Sequence, residues 1–273
     1  MSIPGQGIEI NGLRLNVYDE GTGEPVLLLH GFPDSNSLWR GVIPNLVDNG
    51  YRVIAPDQRG FGESDAPSGV ENYDIELLAK DAVAVLDELG VEKTRLVAHD
   101  WGAMIGWLLA GTYPERFRSY VAISVGHPSA YAAAGFEQKK KGWYPLFFQL
   151  RGVAEEAFMA NNWAIFRKTV NNHPELERWI RDLSRPGRLS AGMEWYRANL
   201  CKLWHCEFPR VRIPVFGIWS TADVALAEDQ MISSASYVDA SWHYERMERV
   251  SHWIPLDEPD RLSELILAYY DRT

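Results

Sequence analysis

The sequence predicts a parallel α/β sheet covered by helices on both faces and interrupted by one all-helical insertion. Three observations predict it. Short, continuously apolar runs such as Val26–Leu29 and Tyr120–Val125 read as strands buried on both faces rather than on one. Helical stripes alternate with these runs, which is the rhythm of parallel strands joined by crossover helices. From about Ala130 to Phe208 that rhythm stops and only helix-like segments remain.

In order along the chain, Val26–Leu29 ends at His30-Gly31, and Tyr51–Asp57 is a second strand closing in the Gly-rich turn Arg59–Gly62. Between them, Leu38, Val42, Ile43 and Leu46 give Ser37–Asn49 helical spacing. Asp74–Leu89 carries a long apolar stripe and stops at Gly90, a C′ signal. Thr94–Asp100 is strand-like, Ala103–Gly111 is helical, and Tyr120–Val125 is again a strand. Inside the insertion, turns fall at Asn171-Asn172 and at Arg185–Gly187, and the run Gln138–Lys141 reads as a solvated charge patch. Strands return at Pro214–Ser220 and His243–Val250, before an amphipathic helix over Glu258–Tyr270. The division this gives is a core of residues 1–129 and 209–273 with a helical lid of residues 130–208.

Composition removes several classes of function. The 273 residues carry 27 Lys and Arg against 37 Asp and Glu, a formal charge of −10, so a phosphate-backbone partner is not expected. Nothing approaches a membrane-spanning apolar stretch, and the opening residues have neither a basic nor an apolar leader region. Two cysteines, Cys201 and Cys206, fit a reducing compartment, so the cytoplasm is the expected location. Cys201, His205 and Cys206 are bunched without ligand spacing or a fourth partner, and no metal is expected there.

The chemistry concentrates at Ala98-His99-Asp100-Trp101-Gly102, where an apolar strand turns sharply into a helix. Small residues two positions to either side suit a strained turn that projects its central side chain, a position that usually carries serine. Here it carries Asp100. A carboxylate attacking an acyl carbon would give a labile anhydride, whereas in-line attack on an sp³ carbon gives an ester that water can cleave. The elbow therefore points to an epoxide or alkyl halide and away from an esterase. His30-Gly31-Phe32-Pro33 can direct the Phe32 backbone N–H, with that of Trp101, into an oxyanion hole. Asp223 and His252 each follow a strand, in the order nucleophile, acid, histidine that such a sheet imposes.

With His30–Pro33, Asp57–Ser64, His99–Gly102 and Ser251–Trp253 in place, the chain resembles the epoxide hydrolase branch of the α/β-hydrolases from about Gly7 onward. The resemblance implies an α/β-hydrolase fold, with an eight-stranded, mostly parallel sheet and a helical cap after the sixth strand. It also implies a cis peptide at Pro33. Trp143–Gln149 and Trp195–Arg197 resemble the cap segments that carry two tyrosines, so Tyr144 and Tyr196 are the implied donors to the epoxide oxygen. That oxygen leaves as a strongly basic alkoxide and needs a proton as its bond breaks. The implied enzyme is a hydrolase acting on an ether bond: Asp100 forms the ester, and His252, oriented by Asp223, activates water to cleave it. Phe32, Trp101, His127, Trp143 and Trp253 are the expected pocket walls for a small uncharged epoxide. No cofactor is expected, and the expected state is a monomer or homodimer. Two departures stand out. Asp34 occupies a position that usually carries Glu in this branch, and Ala98 replaces a Gly.

Two alternatives use the same fold. A haloalkane dehalogenase would need N–H donors for a halide. Trp101 supplies one, and with Phe32 where many dehalogenases carry Asn, the second would come from Trp143 or Trp163. A non-catalytic ligand-binding protein would commonly lack part of the triad, which is complete here. An unusual 12% of residues are aromatic, and five of eleven tryptophans (Trp143, Trp163, Trp179, Trp195 and Trp204) fall in the insertion, as expected of an aromatic-walled cleft.

Overall fold

The computed structural model describes residues 2–205 and 207–273, with the side chains of residues 203–205 outside the description. One sheet organises it, in the order β1-β2-β4-β3-β5-β6-β7-β8. The strands are β1 (Gln6–Ile10), β2 (Leu13–Glu20), β3 (Glu24–Leu29), β4 (Tyr51–Pro56), β5 (Thr94–His99), β6 (Phe117–Ile123), β7 (Val215–Ala222) and β8 (Trp242–Ser251). β2 runs antiparallel to β1 and β4, and the remaining pairings are parallel. All six residues of β5 are buried, so its centre, Leu96–Ala98, is apolar on both faces rather than alternating.

Helices α1 (Ile43–Asp48), α2 (Ile75–Glu88), α3 (Trp101–Thr112), α10 (Glu228–Ser233), α11 (Ile254–Asp257) and α12 (Pro259–Tyr270) belong to the sheet-bearing part of the chain. α2 opens at Asp74, whose carboxylate caps the Glu76 N–H. The cap follows β6, as expected, and contains α4 (Pro128–Ala133), α5 (Phe136–Lys141), α6 (Tyr144–Phe147), α7 (Val153–Thr169), α8 (Leu176–Leu183) and α9 (Arg188–His205). Its described residues contain no strand. α7 is kinked where Asn161, Asn162 and Trp163 take left-handed conformations. The turns at Asn171-Asn172 and Gly187 also take positive φ.

Two expectations need correction. Ser37–Asn49 is not one helix: a 3₁₀ turn over Asn36–Trp39 is followed separately by α1. Pro44 near the start of α1 has no N–H to continue a ladder from the preceding turn. The β1–β2 hairpin was not foreseen, because β1 lies at the sheet edge and both strands are partly exposed. Among the described residues no helix is long and apolar enough to cross a membrane, and none of their His, Cys, Asp and Glu side chains form a metal-binding group. Of the sulfur and imidazole groups considered above, Cys201 is exposed, while the side chains of Trp204, His205 and Cys206 lie outside the described residues.

Candidate active site

The site lies beyond the carboxyl ends of β3, β5, β7 and β8. Asp100 follows β5 with φ 53° and ψ −125°, a strained conformation for a residue with a Cβ, and α3 begins at the next residue. This turn requires close approach on both sides. A Cβ on Gly102 would lie 2.2 Å from the Leu29 carbonyl oxygen, and one on Gly31 would lie 2.1 Å from Asp100 Oδ1. The Phe32-Pro33 peptide is cis, as the resemblance implied.

The Phe32 N–H donates to Asp100 Oδ1 at 2.7 Å. Oδ2 lies 3.5 Å from His252 Nε2, so the two carboxylate oxygens have different surroundings. Burial would raise the Asp100 carboxyl, but His252, His99 and the Trp101 backbone N–H hold it below its ordinary value. Asp223 Oδ2 accepts from His252 Nδ1 at 2.7 Å, while its Oδ1 accepts the N–H groups of Ala225 and Leu226. Burial alone would lower the His252 imidazole. Asp223 and Asp100 reverse that and raise it to about 10, so His252 is a cation between two carboxylates at neutral pH. His99 meets the opposite outcome: burial and the neighbouring His252 charge bring it down to about 4. Its Nε2 lies 2.8 Å from the His252 carbonyl oxygen, which suits a neutral ring that donates there.

Two arms of a cleft meet at Asp100. Asp100, Tyr144 and Tyr196 border both arms. The first arm continues between Trp101, Met104, Tyr131 and Leu226, and the second between Phe32, Phe148, His252 and Trp253. Burial raises both Tyr144 and Tyr196 well above the ordinary phenol value, and the nearby Asp100 charge reinforces this, so both keep their protons. The Tyr196 ring meets Trp101 at 5.0 Å, Tyr144 at 5.6 Å and Phe32 at 5.8 Å, each edge to face.

Not every expected pocket residue reaches the cleft. His127 is fully buried away from it: it caps α4 through the Ser129 N–H, stacks on Tyr237 at 4.4 Å, and places Nε2 3.2 Å from the Pro209 carbonyl oxygen. Trp143 is 46% exposed, with its ring turned to Tyr144 and Phe147 on the outer surface of the cap. Trp163 packs on Phe166, so neither cap indole proposed as a second halide donor borders the two arms. Asp34 is also not a cleft residue. Its carboxylate is taken up by Arg178, at 2.8 and 2.9 Å, and by the Trp179 indole N–H at 2.9 Å. Burial would raise Asp34, but Arg178 and these donors hold it at about 2.

Tyr131 went unread in the sequence, because a single tyrosine shortly after His127-Pro128 carries no local signal. Burial raises its phenol to about 12, which Gln138 offsets only in part.

This chain matches the family model described as alpha/beta hydrolase fold over residues 24–259. It is 33% identical to the AB hydrolase superfamily protein YfhM of Bacillus subtilis, an alignment covering 97% of this chain and 96% of that one. It is 32% identical to human epoxide hydrolase 4, over 96% of this chain and 77% of that protein. The chain belongs to the epoxide hydrolase family of the α/β-hydrolases. Within that family, the Bacillus megaterium epoxide hydrolase solved with an inhibitor superposes with a TM-score of 0.87 at 28% identity, covering 97% of this chain and all of the other. In this epoxide hydrolase family member, His252 lies between Asp223 and Asp100, and Tyr144 and Tyr196 line the cleft beside the Asp100 carboxylate.

Proposed function

We propose that this protein hydrolyses a small, uncharged epoxide to a vicinal diol through an ester on Asp100. The supporting observation is the asymmetry of the Asp100 carboxylate, with Oδ1 held by the Phe32 N–H and Oδ2 turned toward His252, beneath Tyr144 and Tyr196. Oδ2 attacks the epoxide carbon as the C–O bond breaks, and a phenol hands its proton to the departing oxygen.

The charged state of His252 closes the cycle. Esterification removes the Asp100 charge, one of the two that hold the imidazole proton, and that proton restores the phenol. Neutral His252, held by Asp223, then takes a proton from water as its oxygen bonds to the Asp100 carboxyl carbon. Oδ1 carries the developing negative charge against the N–H groups of Phe32 and Trp101. Collapse breaks the ester C–O bond, the departing alkoxide takes the proton still carried by the former water oxygen, and the diol leaves with the Asp100 carboxylate restored and His252 protonated. Residues 130–208 act as the lid over a core of residues 1–129 and 209–273. Aromatic walls, and the lack of Arg or Lys among the described residues that line either arm, favour uncharged substrates.

The test combines two measurements. Styrene oxide and a bromoalkane are offered in parallel, with diol and bromide measured, and His252→Gln is treated with the epoxide and weighed intact. Diol from wild type and a covalent adduct on Asp100 of the variant are expected. Bromide without diol would assign the site to dehalogenation, and diol formation with no trapped adduct would exclude the ester.

A further inference from the structure

Asp223 lies in a loop without regular structure, just past β7, and that loop borders both arms of the cleft through Val224, Ala225 and Leu226. Its internal hydrogen bonds run from the N–H groups of Ala225 and Leu226 to the Asp223 carboxylate. Cap side chains supply partners for its carbonyls. Lys141 Nζ donates to the carbonyl oxygens of Asp223 and Leu226, at 2.5 and 3.0 Å. Gln138 Nε2 donates to the Ala225 carbonyl oxygen at 3.2 Å, and its Oε1 accepts the Ala227 N–H at 2.8 Å. Three of the four successive loop carbonyls, those of Asp223, Ala225 and Leu226, are thus held by two side chains from α5.

This placement gives a different meaning to the lysine run. Gln138 and Lys141 are three residues apart and share a face of the helix, which is turned toward the loop. Lys139 and Lys140 are exposed, so the solvated-patch reading holds for them and not for their two neighbours. An ammonium bonded to two carbonyls fixes a turn at two points, and the Asp223 carboxylate is the group that this turn aims at His252.

We propose that Lys141, with Gln138, is a positioning residue of the cap that sets Asp223 against His252 and so governs cleavage of the Asp100 ester rather than its formation. The proposal rests on the epoxide hydrolase reading above. Ester formation needs the Asp100 carboxylate and the phenols, none of which Lys141 contacts among its hydrogen bonds to the loop. Ester cleavage needs an imidazole held in one orientation, and a small displacement there is costly.

The experiment measures both half-reactions by rapid quench with styrene oxide and intact mass, in wild type, Lys141→Met, Lys141→Arg and Lys140→Met. For Lys141→Met, ester cleavage is expected to slow about tenfold, with ester formation unchanged and the adduct accumulating during turnover. Lys141→Arg keeps a cationic donor able to reach two carbonyls and should restore most of the loss. Lys140→Met should behave as wild type. Unchanged half-reactions in Lys141→Met, or an equal fall in both, would overturn the proposal, as would a Lys140→Met defect as large as that of Lys141→Met. Absence of any adduct in His252→Gln would instead overturn the ester reading itself, so the two failures are separable.

Discussion

The floor and the roof of the cleft are built on opposite physical terms. The floor places charge: Asp100, Asp223 and His252 are all buried, and each follows a strand of the central sheet. Their side chains are held in place by one another and by backbone N–H groups. The roof places neutral donors, with Tyr144 and Tyr196 set among edge-to-face aromatic contacts on α6 and α9. Aromatic contacts of that kind contribute only about 1 kcal/mol each and tolerate displacement. The roof is therefore fastened at its rim by ion pairs and a hydrogen bond. Arg178 grips Asp34 beside the oxyanion loop, His173 Nε2 lies 3.0 Å from Asp257, and Arg185 reaches Glu63. Asp257 also accepts the Ser251 N–H, one residue before His252.

The sharpest way to break this contrast is at the floor. Asp100→Asn should reduce turnover about 10⁵-fold or more while leaving the melting temperature near wild type, measured by diol formation and thermal unfolding. If the variant kept substantial activity, the floor would not supply the nucleophile. At the roof, changing both Tyr144 and Tyr196 to Phe should slow ester formation by about 10³-fold, followed by single-turnover quench. Full activity in that double variant would transfer the proton donor elsewhere, with Tyr131 the next phenol on the same arm.

The rim fastenings are a matter of stability before activity. Arg178→Met would leave the buried Asp34 carboxylate without its ion partner and should cost about 3 kcal/mol in denaturant unfolding. A loss below 0.5 kcal/mol, on the same order-of-magnitude scale, would mean that the cap does not depend on this contact. A second effect on stability concerns pH. His252 rises from 6.5 to about 10 on folding, so its contribution is fully present below about pH 6.5 and is lost as pH rises through 10. Urea midpoints taken between pH 7 and 10 should therefore fall more steeply for wild type than for His252→Gln. Parallel curves would show that the imidazole is not charged in the folded protein.

The floor was the legible half of the molecule. Strands buried on both faces write themselves as apolar runs such as Val26–Leu29, and an aspartate between small residues at a strand end marks a turn with a purpose. The β1–β2 hairpin was missed although Asn11-Gly12, with both residues at positive φ, is a two-residue hairpin signal. Its strands mix Glu, Arg and Asn with apolar residues, and the apolar-run criterion passed over them. The cap was legible as helices but not as contacts. Sequence spacing cannot tell that Trp143 faces outward while Trp253 borders the cleft, nor that Lys141 is engaged while Lys140 is exposed. Those differences arise from how separate helices settle on the core, and no local pattern encodes it. The same holds for Asp34: one methylene shorter than the usual Glu, it is committed to Arg178 and Trp179 rather than to the reacting centre.

Fastening the roof at Asp34, Glu63 and Asp257 leaves the enzyme without a swinging door. With the roof so fastened, one opening to solvent is marked by Val224, 38% exposed while also lining the second arm. Girth rather than length becomes the toll on entry. Among terminal epoxides, kcat/KM should hold as an unbranched tail grows and drop when a branch is set beside the ring.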